Sequence, residues 1–260
     1  MFWCVSAVID EDALFCRSKF LLLAGVYDIF IKCLQYIYER GRRLAELPGG
    51  RMVVLKEGNS MPELILKVGI VVYFLLIVPV AFVMPEHLAW ENGPLEILQN
   101  IVLFCDVVLC LVLFRKTAGQ KFHLIWLSGA GYFLLLLGRE MSWGRIFFQT
   151  GMDQHGPTFI AMNAIPGHQY IHGGISIYTA AVLVSLIWLV PWKKLFHELP
   201  FPKLGFVILV LSAILAACGD KGLLFHSHLD GNIEELAELL AYMLQGGFAA
   251  WYYKQFKMLK

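Results

Sequence analysis

Charged residues are scarce in this chain. Asp, Glu, Lys and Arg make up 16% of its 260 residues, whereas soluble domains carry roughly a quarter. Hydrophobic residues make up 58%, and the mean hydropathy is +0.66. The formal net charge of +1 lacks the basic excess typical of nucleic-acid-binding proteins, so we expect no nucleic-acid partner. The composition predicts an integral membrane protein in contact with membrane lipids, and it says nothing about protein partners.

Several motifs that mark common chemistries are also missing. The six cysteines form no CxxC pair, and three of them lie inside apolar runs, which excludes a disulfide framework and a cysteine zinc site. The sequence has no HExxH, no GxSxG and no GxxxxGK[ST] segment, and it has no ExxH pair of a di-iron bundle. Any chemistry must therefore come from residues that are scattered along the chain.

Long apolar runs are what the sequence does contain. A helix needs about 17–25 residues to cross a bilayer, and six runs approach or reach that length. They are 64–84, 95–114, 122–137, 170–190, 204–218 and 233–253. We predict an all-α integral membrane protein with six transmembrane helices in one domain, residues 61–260.

The distribution of basic residues predicts the orientation of these helices. Lys and Arg lie mainly in the connections after the second and fourth spans and in the C-terminal tail, and few lie on the opposite side. The positive-inside rule then places the N- and C-termini of the six-helix unit in the cytoplasm. The long connection 138–169 faces outward, and its aromatic, Gly- and Pro-containing sequence predicts a re-entrant or interfacial loop between helices 3 and 4.

Residues 1–60 do not fit this pattern. The run from Phe20 is interrupted by Asp28 and Lys32, which disfavours a transmembrane span and favours an interfacial amphipathic helix. The alternative is that translation starts at Met61, because Lys56–Gly58 can be encoded by a sequence that resembles a bacterial ribosome-binding site. A peptide from residues 40–60 in the natural protein, detected by mass spectrometry, would contradict a start at Met61.

Histidines and carboxylates gather on the predicted outer side. His168 and His172 are spaced i, i+4 at the start of the fourth span, and His226 and His228 form an HxH pair before the sixth. Imidazole and carboxylate together suit a divalent metal such as zinc or iron, with a bound water as nucleophile. This pattern predicts a metal-dependent hydrolase or transferase that acts on a lipid-like substrate.

The segment Gly138–Arg145, "GREMSWGR", supplies further candidates for that site. Glu140, together with Glu238 from the sixth span, is a candidate general acid or base, and Ser142 is a candidate nucleophile. Arg139, Arg145 and Trp143 are candidates for binding a substrate or lipid headgroup. The simpler interpretation is structural, with Glu140 paired to an arginine, Ser142 in a turn and Trp143 in an interfacial aromatic belt.

Carboxylates along the second span give a different hypothesis. Glu96, Gln99, Asn100, Leu103 and Asp106 lie at i, i+3/i+4 spacing, so that a polar stripe runs from the outer end towards the bilayer midplane. Ionisable residues inside membranes are candidates for ion pathways, so Glu96 and Asp106 favour a proton- or cation-coupled transporter. Two interpretations stay open beside it: a protonated Asp106 bonded to a neighbouring helix, and a non-catalytic membrane scaffold.

Three segments resemble a group of bacterial polytopic inner-membrane proteins of uncharacterised activity. They are "ENGPLEILQN" at 91–100, "GREMSWGRIFF" at 138–148 and "NIEELAELLAYML" at 232–244. The resemblance implies a multi-pass protein of the bacterial inner membrane and implies no activity. The histidines, Asp230 and Ser142 are also similar in chemical type to the ligands of alkaline-ceramidase-type membrane hydrolases, although their order and spacing differ.

Overall fold

The computed structural model describes residues 61–120, 122–153 and 156–258. The predictions about residues 1–60 therefore concern a segment outside the described residues. Six long α-helices account for most of the described chain, and each contains or nearly matches one of the apolar runs. They are α1 (Met61–Val83), α2 (Pro94–Lys116), α3 (Leu124–Glu140), α4 (His168–Leu189), α5 (Lys203–Asp220) and α6 (His228–Met258).

Four of these helices are long and apolar enough to cross a membrane, namely α1, α2, α4 and α5. Helix α3 has 17 residues, and α6 carries acidic and polar residues along its length. The structure thus supports an all-α membrane protein. Six crossings, and the cytoplasmic position of both termini, stay predictions.

Helix α6 is the central helix of the bundle. It packs against α1, α2 and α5, while α2 also packs against α3. Its residues Ile233, Ala237 and Leu239 are almost completely buried. Helix α4 packs mainly against α3, and most of its side chains are exposed. The buried interior of the described chain therefore lies around α6.

Local sequence explains how α2 begins beside α6. Gly93 precedes the helix in extended conformation, and Pro94 occupies its first turn, where a missing N–H costs nothing. A side chain at Gly93 would approach the carbonyl oxygen of Trp90 to 2.6 Å. This tight turn brings Glu96, in the first turn of α2, into the helix bundle.

The connection between α3 and α4 contains a short β-hairpin, whereas the sequence pattern predicts no strand there. Strands β1 (Gln149–Asp153) and β2 (Gly156–Phe159) are antiparallel. A short helical turn, Ser142–Phe147, joins α3 to this hairpin. At Gly156, φ is +125°, and a Cβ would lie 2.9 Å from Cγ of Trp90, so glycine lets the hairpin pack on that indole. Whether this connection is re-entrant or interfacial stays a prediction.

Candidate functional site

Helix α2 turns three polar side chains towards the interior of the bundle. Glu96, Gln99 and Asp106 are 4%, 0% and 3% exposed. Burying a polar group without a hydrogen bond costs roughly 1–3 kcal/mol by mutational measurements. The polar stripe predicted from the sequence therefore faces protein, and the partners of its atoms decide what it does.

Gln99 links α2 to α6. Its Nε2 atom donates hydrogen bonds to the backbone oxygen of Glu235 at 2.8 Å and to Glu235 Oε2, also at 2.8 Å. Glu96 lies one turn before Gln99, and one of its carboxylate oxygens, Oε2, accepts a hydrogen bond from the backbone N–H of Asn92. We refer to Glu96, Gln99 and Glu235 as the carboxylate site.

Two buried oxygens of the carboxylate site have no hydrogen-bond partner among the described residues. They are Oε1 of Glu96 and Oε1 of Gln99. The carboxylates of Glu96 and Glu235 also lie within electrostatic range of one another. Two acids and an unpaired amide oxygen thus meet inside the bundle, an arrangement that a proton or a cation would complete.

A second group of polar residues lies beside the carboxylate site, and we refer to Arg139, Glu140, Glu238 and Tyr242 as the arginine cluster. Arg139 Nη2 donates to Glu140 Oε1 at 2.7 Å, to Glu238 Oε1 at 2.6 Å and to the hydroxyl oxygen of Tyr242 at 2.7 Å. The Tyr242 hydroxyl in turn donates to Glu140 Oε1 at 2.8 Å. These bonds join the C-terminal end of α3 to α6.

The arginine cluster explains why Arg139 occurs at the end of an apolar helix. Its side chain is 56% exposed, whereas the side chains of Glu140 and Glu238 are 8% and 18% exposed. The arginine therefore neutralises two largely buried carboxylates from the rim of the bundle. The predicted acid–base candidates Glu140 and Glu238 are brought together, and both are held by hydrogen bonds.

Asp106 lies deeper in the bundle, roughly 15 Å along α2 from Glu96 at 1.5 Å per residue. Its carboxyl group packs on the backbone of Gly246 in α6, where an added Cβ would be 2.6 Å from Oδ2 and nearer still to Oδ1. The Oδ2 atom has no hydrogen-bond partner among the described residues. The bond to a neighbouring helix that the sequence left open is therefore not seen for this oxygen.

The turn after α3 holds the other candidates from the "GREMSWGR" segment. Arg145 Nη2 lies 2.6 Å from Glu91 Oε1, and the Ser142 hydroxyl donates to the same oxygen at 3.2 Å. Ser142 and Trp143 have positive φ angles of 45° and 53°, and the Trp143 ring lies over Gly138. Ser142 thus contacts a carboxylate and an arginine. Its role as a nucleophile stays a prediction.

The four histidine candidates fall into two pairs. The rings of His168 and His172 are 6.3 Å apart at the start of α4, and His226 and His228 line a surface depression with Glu86 and Asp230. Asp230 accepts hydrogen bonds from the backbone N–H groups of Phe225 and His226, which caps the turn before α6. Among the described residues, no group of three or more His, Cys, Asp or Glu side chains is placed to hold a metal ion. The predicted zinc or iron centre thus has no support in the described chain.

Sequence reasoning missed two members of these sites. The sequence pattern pairs neither Glu235 with Gln99 nor Glu91 with Arg145. No signal in one sequence pairs residues that are 136 or 54 positions apart. The sequence signal that pointed to the carboxylate site is the amide of Gln99, which lies between Glu96 and Asp106 on the same polar stripe.

No protein-family model, no curated protein and no solved structure matches this chain. The function has to be inferred from the geometry of the carboxylate site, the arginine cluster and Asp106.

Proposed function

We propose that this membrane protein is a proton- or cation-coupled transporter. In this proposal the carboxylate site takes up the coupling ion, and Asp106 is a second ion-accepting residue deeper in the bundle. The observation that carries this proposal is the set of buried oxygens without hydrogen-bond partners at Glu96, Gln99 and Asp106. Leaving such groups unsatisfied costs about 1–3 kcal/mol each. A transported proton or cation would satisfy them, which gives these buried oxygens a function.

The position of these oxygens also favours transport over a purely structural role. Both Glu96 and Asp106 lie on α2, which is long and apolar enough to cross a membrane. A carboxylate near the middle of such a helix is costly and marks a candidate for an ion pathway. The arginine cluster differs, because Arg139 already neutralises its acids and joins α3 to α6.

The first test is ion exchange by the purified protein in liposomes that contain a pH-sensitive dye. In the wild type, an imposed Na⁺ or K⁺ gradient should drive proton movement across the liposome membrane. If it does not, pools of small solutes are added under a pH gradient, and a transported solute should change the rate of proton movement. Asp106→Asn should abolish this movement. His168→Ala, a change outside both the carboxylate site and Asp106, should leave it intact. Equal proton movement in wild type and Asp106→Asn would refute a role for Asp106.

The alternative from the sequence is a metal-dependent hydrolase or transferase acting on a lipid-like substrate, as an enzyme of lipid metabolism. It requires His168, His172 and His226 or His228 to share one metal, with Glu140 or Glu238 as acid or base. The histidine pairs lie at the start of α4 and around the start of α6, and among the described residues they form no group placed to hold a metal. Elemental analysis decides: a stoichiometric metal that is lost in both His168→Ala and His172→Ala would favour the enzyme.

A non-catalytic scaffold is the third function, favoured by the many bonds of the arginine cluster. It predicts that variants of Glu96 and Asp106 alter stability and nothing else. We further propose, on the Lys/Arg asymmetry of the sequence, that the protein lies in a bacterial inner membrane with the carboxylate site near the periplasmic face.

A further inference from the structure

We propose that the carboxylate site binds a dehydrated monovalent metal cation of the Na⁺ class in competition with a proton, whereas Asp106 accepts a proton alone. This inference deepens the proposed function and rests on it for the role of the two ions in transport. The binding itself is argued from the oxygens that each site offers.

The unpaired atoms of the carboxylate site are oxygens, and both are buried. The Nε2 atom of Gln99 is fixed 2.8 Å from Glu235 Oε2, so Oε1 of the same planar amide also lies beside that carboxylate. Oε1 of Glu96 is the second buried oxygen without a partner, and the carboxylate of Glu235 is the third ligand group. A set made of carboxylate and amide oxygens suits hard cations and does not suit metals that prefer nitrogen or sulfur.

The number of ligands favours a monovalent ion over a divalent one. Ca²⁺ takes six to eight oxygens, and Mg²⁺ requires near-octahedral geometry. Two carboxylates and one amide supply fewer groups than either needs, in keeping with the absence of a three-residue metal cluster among the described residues.

The surrounding charges favour a cation and exclude an anion. Besides each other, Glu96 and Glu235 have acidic neighbours within electrostatic range, and these are Glu91, Glu140, Glu234 and Glu238. Arg139 is the basic side chain bonded to this group, and it pairs with Glu140 and Glu238. Helix α1 adds the neutral Tyr73 hydroxyl, which donates to the backbone oxygen of Leu236 at 3.4 Å. Among the described residues no basic side chain pairs with Glu96 or Glu235, so neutralising them requires a proton or a monovalent cation.

Asp106 offers a different environment. Its carboxyl group abuts the backbone of Gly246 on α6, and the Cys110 thiol on the same helix lies within electrostatic range of it. Leu103, one turn towards the carboxylate site, is completely buried. One carboxyl group offers fewer oxygens than a metal cation requires, but it can hold a proton.

The test is the thermal unfolding of the purified protein in detergent at fixed ionic strength, with choline chloride replaced stepwise by LiCl, NaCl or KCl and, in separate titrations, by CaCl₂ or MgCl₂. A ligand that binds the folded state raises the unfolding temperature in proportion to the logarithm of its concentration above Kd. We expect a rise for one or more alkali cations that is larger at high pH, where protons no longer compete. Glu96→Gln and Gln99→Leu should lose it, while Asp106→Asn and the control Glu198→Gln, an exposed carboxylate paired with Lys194, should keep it.

Three outcomes would overturn the inference. They are no difference between alkali cations and choline, an equal rise in Glu96→Gln, and a rise that only Ca²⁺ or Mg²⁺ produces. Glu96→Gln is nearly isosteric, so its folding can be checked by circular dichroism and the result does not depend on Gln99→Leu. Cation-specific stabilisation without ion movement in liposomes would leave the site standing and refute transport. Proton movement in liposomes without any cation-specific stabilisation would support transport and refute the cation site.

Discussion

The carboxyl group of Asp106 on α2 packs directly against the backbone of Gly246 on α6. A Cβ at residue 246 would overlap the carboxylate, with 2.6 Å to Oδ2 and less to Oδ1. Glycine is therefore what lets the two helices approach at the depth where the buried acid lies. This contact is open to a direct experimental test.

Gly246→Ala should destabilise the protein by about 1–3 kcal/mol, because overpacking forces the helices or the carboxylate to move. Chemical denaturation in detergent measures the change. The matched control is Gly247→Ala, where an added Cβ meets no atom within 4 Å, and the better helix propensity of alanine should make that variant neutral or slightly stabilising. In an Asp106→Ala background the cost of Gly246→Ala should disappear. If the loss of stability persists in that background, the steric overlap of the added Cβ is not with Asp106.

Arg139→Ala should cost about 1–3 kcal/mol of stability, because Glu140 and Glu238 are left largely buried without their shared partner. Lys221→Ala is the control, since Lys221 pairs with Asp220 at 3.1 Å and both side chains are more than half exposed. An exposed pair of this kind is worth about 0–1 kcal/mol. Equal losses in both variants, measured by the same denaturation, would show that the arginine cluster does not hold α3 to α6.

The Glu91–Arg145 pair should fix the turn Ser142–Phe147. Both side chains are about one-third exposed, so a double-mutant cycle between Glu91→Ala and Arg145→Ala should give a coupling of only about 0.2–1 kcal/mol. The clearer readout is hydrogen exchange. Peptides covering 142–147 should exchange faster in Glu91→Ala than in the wild type, and the charge-swapped variant Glu91→Arg/Arg145→Glu should restore part of the protection. Unchanged exchange in all variants would contradict this role.

Gly138→Ala should displace the Trp143 ring, because the new Cβ would lie 2.7–2.9 Å from three ring carbons. We expect a loss of about 1–3 kcal/mol, measured by thermal unfolding and largely removed in a Trp143→Ala background. Gly131→Ala on the same helix is the control, since its nearest neighbour, Val182 Cγ2, would be at 3.4 Å. A similar loss in both variants would point to α3 itself and not to the indole.

The sequence alone determined the helices and the polar stripe. Apolar runs of about 20 residues predict helices in a membrane, and the structure places a helix over each of them. A repeat of 3.6 residues put Glu96, Gln99 and Asp106 on one face of α2, and all three are buried there. Both signals are local, since they depend only on residues within one helix.

Only the tertiary structure decided which residues face that stripe. Gln99 meets Glu235 and Asp106 meets Gly246 because α6 lies beside α2, and helix packing depends on surfaces that one sequence does not pair. One sequence also does not show which of the four histidines come together, although their residue type suggested a metal site. Their division into a pair at the start of α4 and a pair around the start of α6 depends on where two distant segments lie. Residue type showed which groups can bind an ion, and packing decided which of them meet.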